Sequence, residues 1–234
     1  MHNRQFIESF ADGPGGFYGW VSNAAGPKPL EHQAGRLTSR SPWWIDYNHA
    51  PPGAGYMHMV FTLNTRGPQG EFYNEVGGPN AFIQESRPTN FTAANIDITL
   101  RGELTTQGAQ LMLLIQGRVD GIISGWLLNG QPIPVTQHTT TQRLQLVPDE
   151  AQWTALGSRH DRTDMYGVKP LRDVLDDVNV NIMLVLFPLD VVPMGDCPGD
   201  PHILRPERDY PVWRHRLPEG YVTLEEFGIQ FASP

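Results

Sequence analysis

Residues 40–56 read RSPWWIDYNHAPPGAGY, which gathers Arg40, Trp43, Trp44, Asp46, Tyr47, Asn48 and His49 ahead of Pro51-Pro52, Gly53 and Gly55. Aromatic rings offer flat apolar platforms to the C–H faces of sugars, while Asp, Asn, Arg and His can bond the hydroxyls at the ring edge. Paired prolines leave a loop little conformational entropy to lose on binding, so its polar groups are pre-organised. The same residues could serve catalysis. His49 and Tyr47 could act as base and acid beside a uronate carboxylate held by Arg40, or Asp46 could be one of two acids cleaving a glycosidic bond, with no second acid identified. A purely architectural alternative has the Trp pair closing one end of the fold while Asp46, Asn48 and His49 bond turn backbone, since Asp and Asn are frequent turn formers.

A second region, residues 191–220, carries His202, Arg205, Trp213, Arg214 and His215 with little strand pattern. Long irregular segments inside compact domains usually serve function or are disordered, and the Pro, Trp and Tyr content here favours an ordered flap. Clustered Arg and His in an acidic chain suit an acidic sugar, although pairing with Glu207 and Asp209 would explain them equally. His160 and Asp161 lack the paired-His spacing that zinc needs, and no phosphate loop, nucleophile elbow or dinucleotide fingerprint occurs.

Period-2 alternation supplies the frame for these groups. Met57, Met59, Phe61 and Leu63 alternate with Tyr56, His58, Val60 and Thr62, which predicts a strand with one core face and one half-polar face. Ile96, Ile98 and Leu100 alternate with Asn95, Asp97, Thr99 and Arg101 in the same way. The expected ligand-binding set is therefore Arg40, Trp43, Trp44 and Asn48 from the loop, Tyr56, His58, Asp97 and Arg101 from the polar strand faces, and His202 and Arg205 from the flap. Further strands are predicted at 5–10, 35–39, 81–85, 110–117, 122–128, 142–147, 179–187 and 223–231, divided by Gly, Pro and Asn. Helices are predicted at 170–177, where Leu171, Val174, Leu175 and Val178 form a stripe behind Pro170, and at 148–156, where Pro148 precedes Asp149 and Glu150. Many strands without alternating long helices predict an all-β antiparallel sandwich, a jelly roll with two short edge helices spanning residues 1–234 as one domain.

Composition bounds the partners. A net charge of −8 provides no basic patch to track phosphates, so neither nucleic acid nor an anionic membrane is an expected partner. Cys197 alone forms no internal disulfide, which fits a reducing compartment or a secreted bacterial protein without bridges. The opening residues lack the apolar core of a signal peptide, and the chain as given reads as soluble.

The segments FIESFADGPGGFYGW, GYMHMVFTLNT, LQLVPDEAQWTAL, PLRDVLDDVNVNIMLVLF and YVTLEEFGIQF follow one another along most of the chain. Their order resembles the galactose-binding-like jelly-roll superfamily, which includes many carbohydrate-binding modules and the IV-type domain of laminin. The matching features are an opening strand with a Gly and Trp turn, a first core strand, a strand with a Trp-bearing turn, a short helix into a central strand, and an acidic last strand. The resemblance implies a carbohydrate ligand. It also implies a structural calcium in many members, for which Glu8, Asp12, Glu225 and Glu226 would be the matching oxygen donors. The family often has Asp-Asn where this chain has Glu225-Glu226. Three functions follow as expectations: a carbohydrate-binding module, a polysaccharide lyase or hydrolase using His49, Tyr47 and Asp46, and a protein–protein adhesion or assembly module.

Overall fold

The computed structural model describes residues 5–22, 25–46, 56–66, 75–159, 163–189, 195, 198–199, 211 and 217–232. In chain order its strands are β1 (Gln5–Glu8), β2 (Phe17–Ser22), β3 (Gly26–Lys28), β4 (Glu31–His32), β5 (Leu37–Arg40), β6 (Ile45–Asp46) and β7 (Tyr56–Asn64). They continue with β8 (Asn95–Thr105), β9 (Gln110–Val119), β10 (Ile122–Leu127), β11 (Thr140–Gln145), β12 (Thr154–Ala155), β13 (Asn181–Leu189) and β14 (Glu219–Gln230). One antiparallel sheet has the order β11-β8-β14-β5-β4, with β1 also on β14; the other runs β12-β10-β9-β13-β7-β2-β3, with β6 also on β7. The predicted all-β sandwich is the observed one. Among the described residues no helix is long and apolar enough to cross a membrane.

Alternation explains the main core. Ile96, Ile98 and Leu100 of β8 and Val222, Leu224 and Phe227 of β14 meet Leu111, Leu113 and Ile115 of β9 and Leu184 of β13 between the sheets. The opposite face of the eight-stranded sheet is apolar too. There Met57, Met59, Met112, Leu114, Met183 and Val185 belong to a second buried cluster. A strand buried on both faces reads as a continuous apolar run, as β9 does over 111–115 and β13 over 182–187, while β7 is buried on both faces with His58 and Thr62 inside it.

The alternation in β7 is broken where the sequence shows no break. Phe61 pairs with Leu184 and Met59 with Val185, so Val60 is an extra residue in β7. A bulge of this kind shifts every later side chain to the opposite face. Val60 and Phe61 consequently both enter the core between the sheets, whereas Met57 and Met59 lie on the outer face. Tyr56 and His58, expected to offer a half-polar face to a ligand, are 1% and 2% exposed.

The strand expected at 81–85 and the helix expected at 148–156 both change. Residues 81–85 form a helix, α1 (Ala81–Gln84), because Asn80 caps it: its side-chain oxygen accepts from the Ile83 N–H while its amide donates to the Asn64 carbonyl. Residues 148–156 form only a 3₁₀ turn at Glu150–Gln152, after which Thr154–Ala155 pairs with β10. The predicted helix behind Pro170 is present as α2 (Leu171–Asp176), with Leu171, Val174 and Leu175 buried. Residues 17–22, expected as a turn, form β2.

Candidate functional site

The outer face of the six-stranded sheet is polar and open. Cross-strand register places Thr223 of β14 between Arg101 of β8 and Thr38 of β5, and Tyr221 between Glu103 and Arg40. With the β4–β5 hairpin these residues shape a cleft of about 410 Å³, lined on one side by Glu31 and Arg36 and on the other by Arg101 and Tyr221. Arg40 lays its guanidinium 4.9 Å from the Tyr221 ring centre, and its Nε donates to Glu31 over 2.9 Å. Thr38 and Thr223 share a hydroxyl hydrogen bond of 2.9 Å on the floor.

Local backbone chemistry puts each group in place. Ala34 and Gly35 both have positive φ, and Gln33 and Arg36 exchange two backbone hydrogen bonds of 3.0 and 3.1 Å. This is the geometry of a two-residue hairpin turn whose twist matches the strands, and it delivers Arg36 to the cleft rim. Gly220, at φ +130, lets the β14 backbone approach Glu103 so closely that a Cβ would stand 1.9 Å from the Glu103 carbonyl oxygen. Ser41 and Gly220 then bond each other through 3.0 and 3.1 Å contacts, fixing Arg40 against Tyr221.

Glu225 is placed by a second bulge. Leu224 pairs with Leu100 and Glu226 with Thr99, leaving Glu225 unopposed. Leu224 and Phe227 remain in the core, so both glutamates between them face outward. The Glu225 carboxylate then lies 3.1 Å from Nε of both Arg36 and Arg101, through the same oxygen, and its other oxygen accepts from Thr139 at 3.1 Å. Asp97 lies farther along the same face, where it receives two 2.7 Å bonds from Arg143. The bonded Asp97 carboxylate raises the Arg143 pKa further above its already high ordinary value.

The structure thus brings together Arg40 and Arg101 from the predicted ligand set and places Asp97 nearby, but it separates them from Trp43, Tyr56 and His58. Trp43 lies in the core, where its indole donates to Ser39 Oγ and Ser39 donates to the Val60 carbonyl, a chain that joins the two sheets. His58 stacks obliquely on Trp43 with ring centres 5.9 Å apart, and its Nδ1 is 3.4 Å from the Trp44 carbonyl. Trp44 sits on the outer face of the eight-stranded sheet beside Trp20 at 5.7 Å, which in turn neighbours Tyr18 at 5.7 Å. Asp46 is 2% exposed. Tyr47, Asn48, His49, His202 and Arg205 lie outside the described residues.

The implied calcium donors do not form one set. Glu8 shares the core-side face of β1 with Phe6 and accepts the Phe10 N–H at 2.7 Å, whereas Glu225 and Glu226 face outward from β14 and Asp12 is exposed. Glu225 is also already neutralised by two arginines. Among the described residues no three His, Cys, Asp or Glu side chains converge on a cation site. These residues therefore do not fit the implied ion.

Sequence reading missed Arg36, Thr38, Tyr221 and Thr223. The available signal was the run Tyr221, Thr223, Glu225, which alternates with Val222 and Leu224, but a strand begun at Thr223 leaves Tyr221 outside.

No family model and no curated protein matches the chain. A solved structure described as "Prominent members of the human gut microbiota express endo-acting O-glycanases to initiate mucin breakdown" covers 97% of this chain and 99% of its own, at 9% identity and a TM-score of 0.41.

Proposed function

We propose that the protein is a carbohydrate-binding β-sandwich that holds an oligosaccharide in the cleft on the outer face of its six-stranded sheet. The observation that carries this reading is the meeting, in one open cleft, of the Tyr221 ring, the Thr38 and Thr223 hydroxyls and the guanidinium groups of Arg36, Arg40 and Arg101. Sugar recognition needs an apolar ring face beside directional donors and acceptors, and a sheet face supplies them on rigid backbone. The resemblance of the chain to carbohydrate-binding jelly rolls supports the same ligand class.

The test is affinity electrophoresis and calorimetry against a panel of soluble neutral and acidic polysaccharides. At least one polymer is expected to bind, and Tyr221→Ala and Thr38→Val should each weaken it by about tenfold, the effect of losing roughly 1.4 kcal/mol of contact. Unaltered binding by both variants, with melting temperatures unchanged, would place the site elsewhere. Accumulation of reducing ends or unsaturated products would replace the binding reading with a catalytic one.

A further inference from the structure

We propose that the cleft selects a sugar bearing a carboxylate, which Arg36 and Arg101 grip through their free guanidinium edges. The inference rests on the carbohydrate reading above and adds the substrate class. The Arg101 Nε donates to one oxygen of Glu225, and the Arg36 Nε stands within ion-pair distance of the same oxygen, at 3.1 Å each. Two positive charges therefore share a single negative one. Among the described residues neither arginine forms another ion pair, so the terminal nitrogens of each remain available. A guanidinium anchored through Nε keeps its Nη donors in a fixed fork, and that fork matches a planar carboxylate in bidentate fashion.

The charge count points the same way. Arg36, Arg40 and Arg101 line the cleft with Glu31, and Glu225 is the one further carboxylate bonded to the lining arginines. Three cations thus meet two anions on a chain whose net charge is −8. Glu103, across Tyr221 from Arg40, lies outside the lining.

Stability is a weak reason for the cluster. The side chains of Arg36 and Arg101 are 49% and 35% exposed, and ion pairs that open to water contribute at most about 1 kcal/mol. Yet a bulge in the longest strand is spent on turning Glu225 toward them. Bulges at functional sites re-aim side chains in this manner. Glu225 acts as a positioning residue: it holds both forks facing the cleft and yields one guanidinium's worth of charge to an incoming anion.

The experiment measures binding of alginate, polygalacturonate and hyaluronan beside the carboxyl-reduced form of each. At least one acidic polymer should bind about tenfold or more tightly than its reduced counterpart, and the difference should shrink as ionic strength rises. Arg36→Gln and Arg101→Gln should each bring the acidic polymer down to the affinity of the reduced one. Arg36→Lys should recover little, because it restores the charge without the fork. Arg36 sits at an exposed hairpin end, so its variants keep the test available if Arg101→Gln does not fold. Equal binding of acidic and reduced polymers, or unchanged affinity in the Arg36 variants, would overturn the carboxylate inference and leave the carbohydrate reading standing. Failure of every polymer to bind would overturn both.

Discussion

His58 is 2% exposed, and its Nε2 has no hydrogen-bond partner among the described residues. Burial pushes its pKa down from 6.5 to about 4, against a smaller upward pull from the Trp44 and Trp43 backbone. The unfolded chain takes up this proton near pH 6.5, while the folded chain refuses it until about pH 4. The neutral imidazole therefore contributes its full stability above pH 6.5, and that contribution is lost as pH falls to about 4, by roughly 3 kcal/mol in all. Urea unfolding between pH 7 and pH 4 should show the wild-type midpoint falling more steeply than that of His58→Gln. Parallel declines would assign the acid sensitivity to other groups. Glu8 works with the opposite sign, because burial raises its carboxyl pKa and the folded state then binds that proton first. Glu8→Gln should accordingly stabilise the protein at neutral pH, since a Gln oxygen can still accept the Phe10 N–H.

At the scale of elements, the two bulges decide which side chains meet water. Leu224 and Glu226 pair with Leu100 and Thr99, which are consecutive, so a chain lacking Glu225 has an unbroken ladder with Glu226 outward and Phe227 still in the core. Removing Thr223 instead leaves no extra residue to absorb the loss at that point, and Val222 would have to turn outward. Deletion of Glu225 should therefore retain a cooperative urea transition within about 2 kcal/mol of wild type, while deletion of Thr223 should cost clearly more. Equal costs would mean that the bulge is not what sets the register. The strands expected at 95–101, 110–117 and 179–187 are observed at 95–105, 110–119 and 181–189, because period-2 alternation and unbroken apolar runs are local signals that mark a strand more sharply than its ends. The bulges were not legible in the sequence. An extra residue exists only relative to a partner strand, and neither Val60 nor Glu225 differs in type from an ordinary strand residue. Residues 81–85 misled for a related reason: the short apolar run Ala-Phe-Ile bounded by Asn80 fits a strand or a buried helical turn equally, and the deciding influence is the Asn80 cap bonded to Asn64, sixteen positions earlier.

Across the whole molecule, the cleft draws on residues 31–40, 101 and 221–223, which adjoin only once β14 lies between β5 and β8. No local motif could reveal it; the densest motif, around Trp43, instead feeds the core through the Trp43, Ser39, Val60 chain. The other end of β14 is closed differently. Phe82 meets Phe6 at 5.2 Å, Phe91 at 6.2 Å and Phe231 at 6.4 Å, which fastens α1 to the first and last strands. Phe82 is fully buried, so Phe82→Ala should lower stability by about 3–5 kcal/mol. Ile7→Ala, on the adjoining β1 but 51% exposed, should change it by about 0.5 kcal/mol or less. Residues 221–224 of β14 pair with β5 beside the cleft, whereas residues 227–230 pair with β1 beside the phenylalanines. Distant sites without shared partners contribute independently. The Phe82→Ala protein, held well below its lowered melting temperature, should therefore bind the cleft ligand with wild-type affinity; a loss of affinity under those conditions would show that β14 transmits strain along its length and couples the two ends.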